Sequence, residues 1–346
     1  MHNELRHHFN GLCAALALGY KVDSVTVSQF NIEPSVAQQL QDKIVEQSTF
    51  LQKINVLPVR DKTGQNVLGS VSGSVSGRTD TKKPNNPRVP RNVSNLEGQE
   101  FQLYKTDSDV AMPYDTIDAW SMFPDFHQRY TRYVQEQIAN DREICGWYGE
   151  AAAADTDREV NQMLQDLNKG WMQIAREKMP SHVLTEGTVT GQIRIGEGGD
   201  YPNLDAAVHD LVQGIPKHKR KNLVALIGDD LIGVEAAKLF ALVGGKPSEK
   251  TLMSLAAMKY GGLDWETPSN FPGRAIVVTS YDNLSIYWQK DSWRKHVREE
   301  PENDQIADYN SRNEGYVIED PEKFMAVEFK NVKVPEVQED KSVLWV

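Results

Sequence analysis

Helical and strand-like hydrophobic patterns alternate along this chain, and one long polar section interrupts them. Residues 1–20 have the apolar density of a helix, richest from Leu12 to Leu18. Asp23 to Phe30 breaks that pattern. Glu33-Pro34-Ser35 then opens a second helix, predicted from Ser35 to about Leu51 on Val36, Leu40, Ile44 and Phe50. Two helices joined by a polar link predict an N-terminal arm that can come away from the body.

Ile54 to Val59 reads as an extended segment, and Phe101-Gln102-Leu103-Tyr104 resumes that pattern. Between them lies a small SVSG repeat, Gly69 to Gly77, in which Val67, Val71 and Val75 stand isolated among Ser and Gly. Thr79 to Glu100 follows, with Pro84, Pro87 and Pro90 and almost no apolar residues. The two extended segments predict one long hairpin reaching out of the body. A section this long without its own core is a functional arm, a binding loop or a floppy surface loop.

A long helix is predicted next, with Pro124 near its first turn and Phe126, Tyr130, Val134 and Ile138 at four-residue spacing. Cys145 and Tyr148 prolong its apolar face. A second helix ends near Met179-Pro180, where proline stops it. From Gly191 the chain reads as α/β. Leu223 to Ile227 and Ala275 to Val278 look like buried strands of a central sheet, and Leu284 to Trp288 like another strand. Leu204 to Val212, Leu231 to Leu242 and Glu249 to Met258 read as helices. Tyr316 to Ile318 and Met325 to Phe329 are strands of a tail that returns to the body holding the long helix, which makes the middle section an insertion.

Composition narrows the function. With 39% hydrophobic and 25% charged residues in 346, the chain is a folded, soluble type. No stretch reaches the apolar run of about 20 residues that spans a bilayer. A signal peptide is disfavoured because Lys21 and Asp23 follow the apolar stretch with no small-residue cleavage box. Cys13 and Cys145 form no CxxC pair, so neither a disulfide framework nor a cysteine zinc site is expected, and a reducing cytoplasm fits as the place of folding.

A net charge of −11 argues against a protein that grips nucleic acid. The charge is uneven, however. Arg78 to Lys105 and Lys217 to Lys221 are basic, and Asp291 to Asp320 is acidic. Opposite patches suit self-association, although each alone is also an ordinary patterned surface.

Enzyme chemistry finds little support. Gly196-x-Gly198-Gly199 is neither GxGxxG nor a phosphate loop, and Asp200 is expected to cap the following helix or close the turn. Asp229-Asp230 reads as a helix N-cap rather than a metal site. No HExxH, HxH or GxSxG occurs. Trp345, near the end of Val343-Leu344-Trp345-Val346, is expected to pack on the body or on a neighbour.

Several segments, in their joint order, resemble the major capsid proteins of Peduovirus-type tailed phages and their prophages. They are Ile32 to Val36, Lys53 to Val59, Gly73-Ser74 with Thr79-Asp80-Thr81, Met163 to Asp166 with Gly170-Trp171, Ile195 to Tyr201, Asn283 to Tyr287, and Tyr316 to Asp320. The resemblance implies an α+β, Hong Kong 97-like phage capsid fold with N-terminal arm, extended hairpin loop, long spine helix and axial domain. On this chain those parts would be an arm over 1–53, the hairpin over 54–110, a peripheral domain over 111–194, the axial domain over 195–300 and a return to the peripheral domain over 301–346. The implied function is self-assembly as pentamers and hexamers into an icosahedral head enclosing double-stranded DNA, with no cofactor, no metal and no membrane. The implied partners are a scaffolding protein, a maturation protease, a portal protein and completion or decoration proteins. The virion capsid, assembled in the bacterial cytoplasm, would be its location.

Maturation would cut in the region Ser28 to Glu33, with Phe30 and Asn31 as the candidate bond. Lys82, Lys83, Arg88 and Trp345 are candidate intersubunit contacts, the basic three being expected to meet the acidic Glu299 to Asp320 of a neighbour. Lys–Asn crosslinking of neighbours has no support in a catalytic partner. The alternatives are a cellular nanocompartment shell of the same fold and an α/β enzyme using the Gly196 turn.

Overall fold

Two sheets that share one apolar core organise the chain. The computed structural model describes residues 3–66, 76, 78–80, 82, 88–89, 100–120, 126–243, 259–337 and 343–346. Most of the SVSG repeat, and the helix expected over 249–258, lie outside the described residues.

The N-terminal part follows its hydrophobic pattern. Helix α1 (Asn3–Tyr20) ends at Lys21, whose φ of 56° is left-handed. Strand β1 (Phe30–Asn31) precedes helix α2 (Pro34–Glu46), which starts on a proline that needs no N–H partner there. The predicted second helix stops at Glu46 rather than near Leu51. Ser48 takes the Leu51 N–H at 3.0 Å and donates to Glu143, fixing a turn that buries Phe50 and Leu51 instead.

Strands β2 (Asn55–Val59), β3 (Thr63–Gln65), β4 (Glu100–Gln102), β5 (Tyr104–Asp107) and β6 (Val110–Pro113) lead to helices α3 (Tyr114–Trp120) and α4 (Phe126–Tyr148). Helix α4 is the predicted long helix, 23 residues, with Tyr130, Ile138 and Cys145 buried on one face. Helix α5 (Trp171–Lys178), strands β7 (Val183–Leu184) and β8 (Ile193–Arg194), and helix α6 (Leu204–Gly214) come next. Strand β9 (Val224–Ile227), helix α7 (Asp229–Val243), and strands β10 (Asp264–Glu266) and β11 (Ile276–Thr279) complete the α/β section. The C-terminal part is mainly strand: β12 (Leu284–Gln289), β13 (Arg294–Glu300), β14 (Gln305–Ile318), β15 (Met325–Val327), β16 (Val332–Lys333), β17 (Pro335–Val337) and β18 (Val343–Trp345).

The 14-residue β14 is the common partner in a seven-stranded sheet. β12 and then β13 run antiparallel along it, as do β5 and β6. β2 extends the sheet parallel to β12, and β1 extends it antiparallel to β13. A five-stranded sheet has the order β10-β9-β11-β15-β7. Its inner strands are buried on both faces. Val224, Leu226 and Val277 point into the core shared with the long sheet, whereas Ala225, Ile227, Ile276 and Val278 face a second core with α6. This explains why β9 and β11 read as unbroken apolar runs.

Three pairings differ from expectation. Ile54 to Val59 does not pair with the returning hairpin segment; it lies parallel to β12, and the antiparallel β3–β4 ladder begins at Thr63. Leu284 to Trp288 joins the long sheet rather than the one holding β9 and β11. A run buried on both faces carries no mark of which sheet it enters. The tail divides, with β14 in the long sheet and β15 in the five-stranded one.

Aromatic packing locks α4 to α5. Trp147 and Trp171 lie 4.9 Å apart between ring centroids, with Phe50 and Phe271 against Trp147 and Tyr316 against Trp171. Gly146 makes this possible, because a Cβ there would sit 2.3 Å from the Trp171 ring.

The acidic region Asp291 to Asp320 is mostly folded inward. Glu314, buried on β14, accepts from Arg142 of α4 at 2.8 Å and from Arg312 at 2.8 Å. Burial opposes its charge, but Arg142 and Arg312 outweigh that and hold its pKa down at about 2. Asp308 pairs with Lys295 at 2.9 Å, Glu319 accepts from Ser285 and Tyr287, and Lys219 bridges Asp320 and Glu322 at 2.8 and 2.7 Å.

Two outcomes follow for the unassembled subunit. Glu314→Gln leaves two guanidiniums buried with a weaker partner and costs ~3–5 kcal/mol. The wild-type ion pair contributes fully above the unfolded carboxyl pKa and is lost as pH falls from about 4.5 towards about 2, so Glu314→Gln flattens the acid limb of urea stability measured over that window. Gly146→Ala forces Trp171 aside and lowers urea stability by ~1–3 kcal/mol, with near-ultraviolet circular dichroism reporting the displaced indole.

Candidate processing and assembly site

The Phe30–Asn31 bond lies in a strand, not in a free link. Phe30 pairs with Lys295 and Asn31 with Arg294 across β1 and β13. Flanking hydrogen bonds extend the pairing: the Val297 N–H donates to Val25 O, and the Ile32 N–H donates to Trp293 O, each at 2.9 Å. Val25 and Ile32 are buried, Phe30 is half-buried against Tyr20 at 5.9 Å between centroids, and Asn31 is exposed. The break over 23–30 is real, but Val25 within it and Ile32 just after it are both hydrogen-bonded to the backbone around β13.

Beneath the arm sits a polar cluster that sequence reasoning missed. Lys295 Nζ lies 5.1 Å from the Tyr20 ring centroid and pairs with Asp308, to which Tyr130 donates at 3.2 Å. Burial works against the Lys295 ammonium, but Asp308 and then Tyr20 outweigh it and raise its pKa above the ordinary lysine value. Burial, followed by the carboxylates of Asp308 and Glu299, pushes the Cys13 thiol of α1 up to about 11. β13 lies between β1 and β14, and its residues alternate, with Lys295 and Val297 buried and Arg294 and Arg298 exposed.

The assembly candidates are scattered. Lys82 and Arg88 are exposed, Lys82 donating its N–H to Asp80 at 3.1 Å, and Lys83 lies outside the described residues. The acidic stretch expected to receive them offers few free carboxylates, because Asp308, Glu314, Glu319 and Asp320 are engaged within the chain. Trp345 packs on its own body. Its ring lies 5.5 Å from the Arg194 guanidinium and against Gly199, where an added Cβ would come within 2.8 Å of it. Val346 continues this contact through two backbone bonds with Val334 and one from Arg274 at 2.8 Å.

The turn weighed for cofactor binding is built for packing. Asp200 accepts from the N–H groups of Thr188 and Arg194 at 2.6 and 2.8 Å, so it closes the turn, and Asn203 rather than Asp200 caps α6. Asp229 and Asp230 occupy the first turn of α7, where a helix favours negative charge. Among the described residues no group of three or more His, Cys, Asp or Glu side chains is placed to hold a metal, and no helix is long and apolar enough to cross a membrane.

Comparison with known proteins decides the family. Residues 8–329 match the family described as "Phage major capsid protein, P2 family". The chain belongs to that family. This P2-family capsid protein is 32% identical over 334 residues to the capsid proteins of Escherichia phage P2, covering 92% of each chain. It is 30% identical over 331 residues to the major capsid protein of Serratia phage KSP20, covering 92% of this chain and 94% of that one. Among solved structures it resembles a chain of the satellite phage P4 procapsid that includes the size determination (Sid) protein. That match has a TM-score of 0.78 and 31% identity, over 96% of this chain and 99% of that one. It is thus a shell protein of phage origin with the Hong Kong 97-like capsid fold, in which α and β elements are mixed.

Trp345→Ala tests which surface that side chain serves in the capsid protein. Loss of its packing lowers subunit stability by ~1–3 kcal/mol in urea. An intersubunit role would instead leave urea stability unchanged and lower particle yield.

Proposed function

We propose that this capsid protein self-assembles as pentamers and hexamers into the icosahedral head that encloses phage double-stranded DNA. The observation that carries the reading is the P2-family match across residues 8–329, which includes most of α1, both sheets and α4. The five-stranded sheet with α6 and α7 serves as the axial body near the symmetry axes. The long sheet with α4 serves as the peripheral body. Residues 1–53 are the arm, and the section opening at β3 and closing at β4 is the extended hairpin, whose exposed Lys82 and Arg88 meet a neighbouring copy.

The partners in this reading are a scaffolding protein, a maturation protease that cuts between Phe30 and Asn31, a portal protein, and completion or decoration proteins. The shell forms in the bacterial cytoplasm and ends as the virion capsid. Its charge suits a container for nucleic acid, since a net −11 repels phosphate and lets the shell confine DNA without resisting its entry or exit.

Co-expression with the scaffold and protease genes, followed by gradient sedimentation, electron microscopy and N-terminal sequencing, tests the proposal. Closed icosahedral shells whose subunits begin at Asn31 are expected. Shells that still begin at Met1 or His2 would remove the processing step. A folded subunit that never assembles with those partners would remove the shell reading.

A further inference from the structure

The arm covers charge, not only hydrocarbon. Lys295 and Asp308 have side chains only 5% exposed each, at 2.9 Å from one another. Their base is built by the body: Tyr130 of α4 donates to Asp308, and Trp293 donates to Asn310 beside it. Their roof comes from the arm. Tyr20 lies over the ammonium, Phe30 backs Tyr20, and Leu16 and Tyr20 line, together with Leu40 and Ile44 of α2, a gap of about 20 Å³ beside the pair. Such a gap is of the order of a single water.

We propose that residues 3–30 form a strap that keeps the Lys295–Asp308 pair dry, and that release of the strap uncovers this pair and the edge of β13 together. The proposal rests on the processing reading for its timing, but the burial it invokes does not. The physical reason is an asymmetry between the two kinds of surface. Uncovering Leu16, Tyr20 and Phe30 opposes release through the hydrophobic effect. Uncovering the pair returns water to buried atoms that lack a full set of hydrogen bonds, and takes the Tyr20 ring away from the ammonium. Asp308 Oδ1 is one such atom, buried without a hydrogen-bond partner. The strap is therefore held by its apolar residues and by the Tyr20–Lys295 contact, and its release wets both charges. Cutting after Phe30 removes the Val25–Val297 bond and the Phe30–Lys295 pairing, and leaves Ile32 donating to Trp293.

Acetylation of Lys295 by an N-hydroxysuccinimide ester, read by peptide mass spectrometry, tests this directly. The full chain is compared with a chain lacking residues 1–30, each normalised to Lys105, whose side chain is 60% exposed. Lys295 is expected to react about tenfold faster or more without the strap, as for a group moving from a protected to an open state. Equal protection of Lys295 in a folded shortened chain would overturn the proposal. Should that chain fail to fold, Tyr20→Ala in the full chain supplies the same reading, with faster acetylation expected and unchanged protection overturning it. Neither arm of the test depends on which bond the protease cuts, so a misplaced cleavage site and a failed strap are told apart.

Discussion

Glu314 with its two arginines is the constraint on which the rest of the structure depends. One guanidinium comes from α4 and one from β14 itself, so the cluster ties the long helix to the central strand of the long sheet. A charge this deep is tolerated only with its partners in place. It also fixes register, since a slip of one residue would turn Glu314 to the opposite face and leave Arg142 unpaired. Because β5, β6, β12 and β13 all take their register from β14, the cluster sets the alignment of most of that sheet. Tyr316 and Asn168 add to it: Tyr316 donates to Arg142 O at 2.9 Å, and Asn168 donates to Glu314 O at 3.0 Å.

Local periodicity makes the helices and inner strands legible. The face of Tyr130, Ile138 and Cys145 on α4 and the apolar runs of β9 and β11 are properties of short windows, and they appear where expected. Partner choice is not a local property. Nothing in Ile54 to Val59 says that it runs parallel to β12, more than two hundred residues on, rather than beside Phe101. The acidic run is deceptive for a similar reason. Asp308 and Glu314 look like surface charge until Lys295 and Arg142 arrive from other elements.

The processing region shows the same division. The break between α1 and α2 is visible in composition, and its significance comes from resemblance to a family. The pairing of Phe30 with Lys295 is not visible, because a two-residue strand has no pattern of its own. Much of the acidic run is engaged inside the subunit, where Glu314 and Asp308 align elements, and Tyr20 of the arm covers one of those pairs.

The position of β14 also has a consequence for synthesis. Residues 305–318 leave the ribosome late, yet they complete hydrogen bonds for β5 and β6, made about two hundred residues earlier. Until they emerge, β5 and β6 lack the strand that pairs with them among the described residues, and their edges stand open. Pairings of such long sequence separation form slowly. From the emergence of β6 until β14 is made, the nascent chain therefore carries an incomplete sheet whose open strand edges are prone to association.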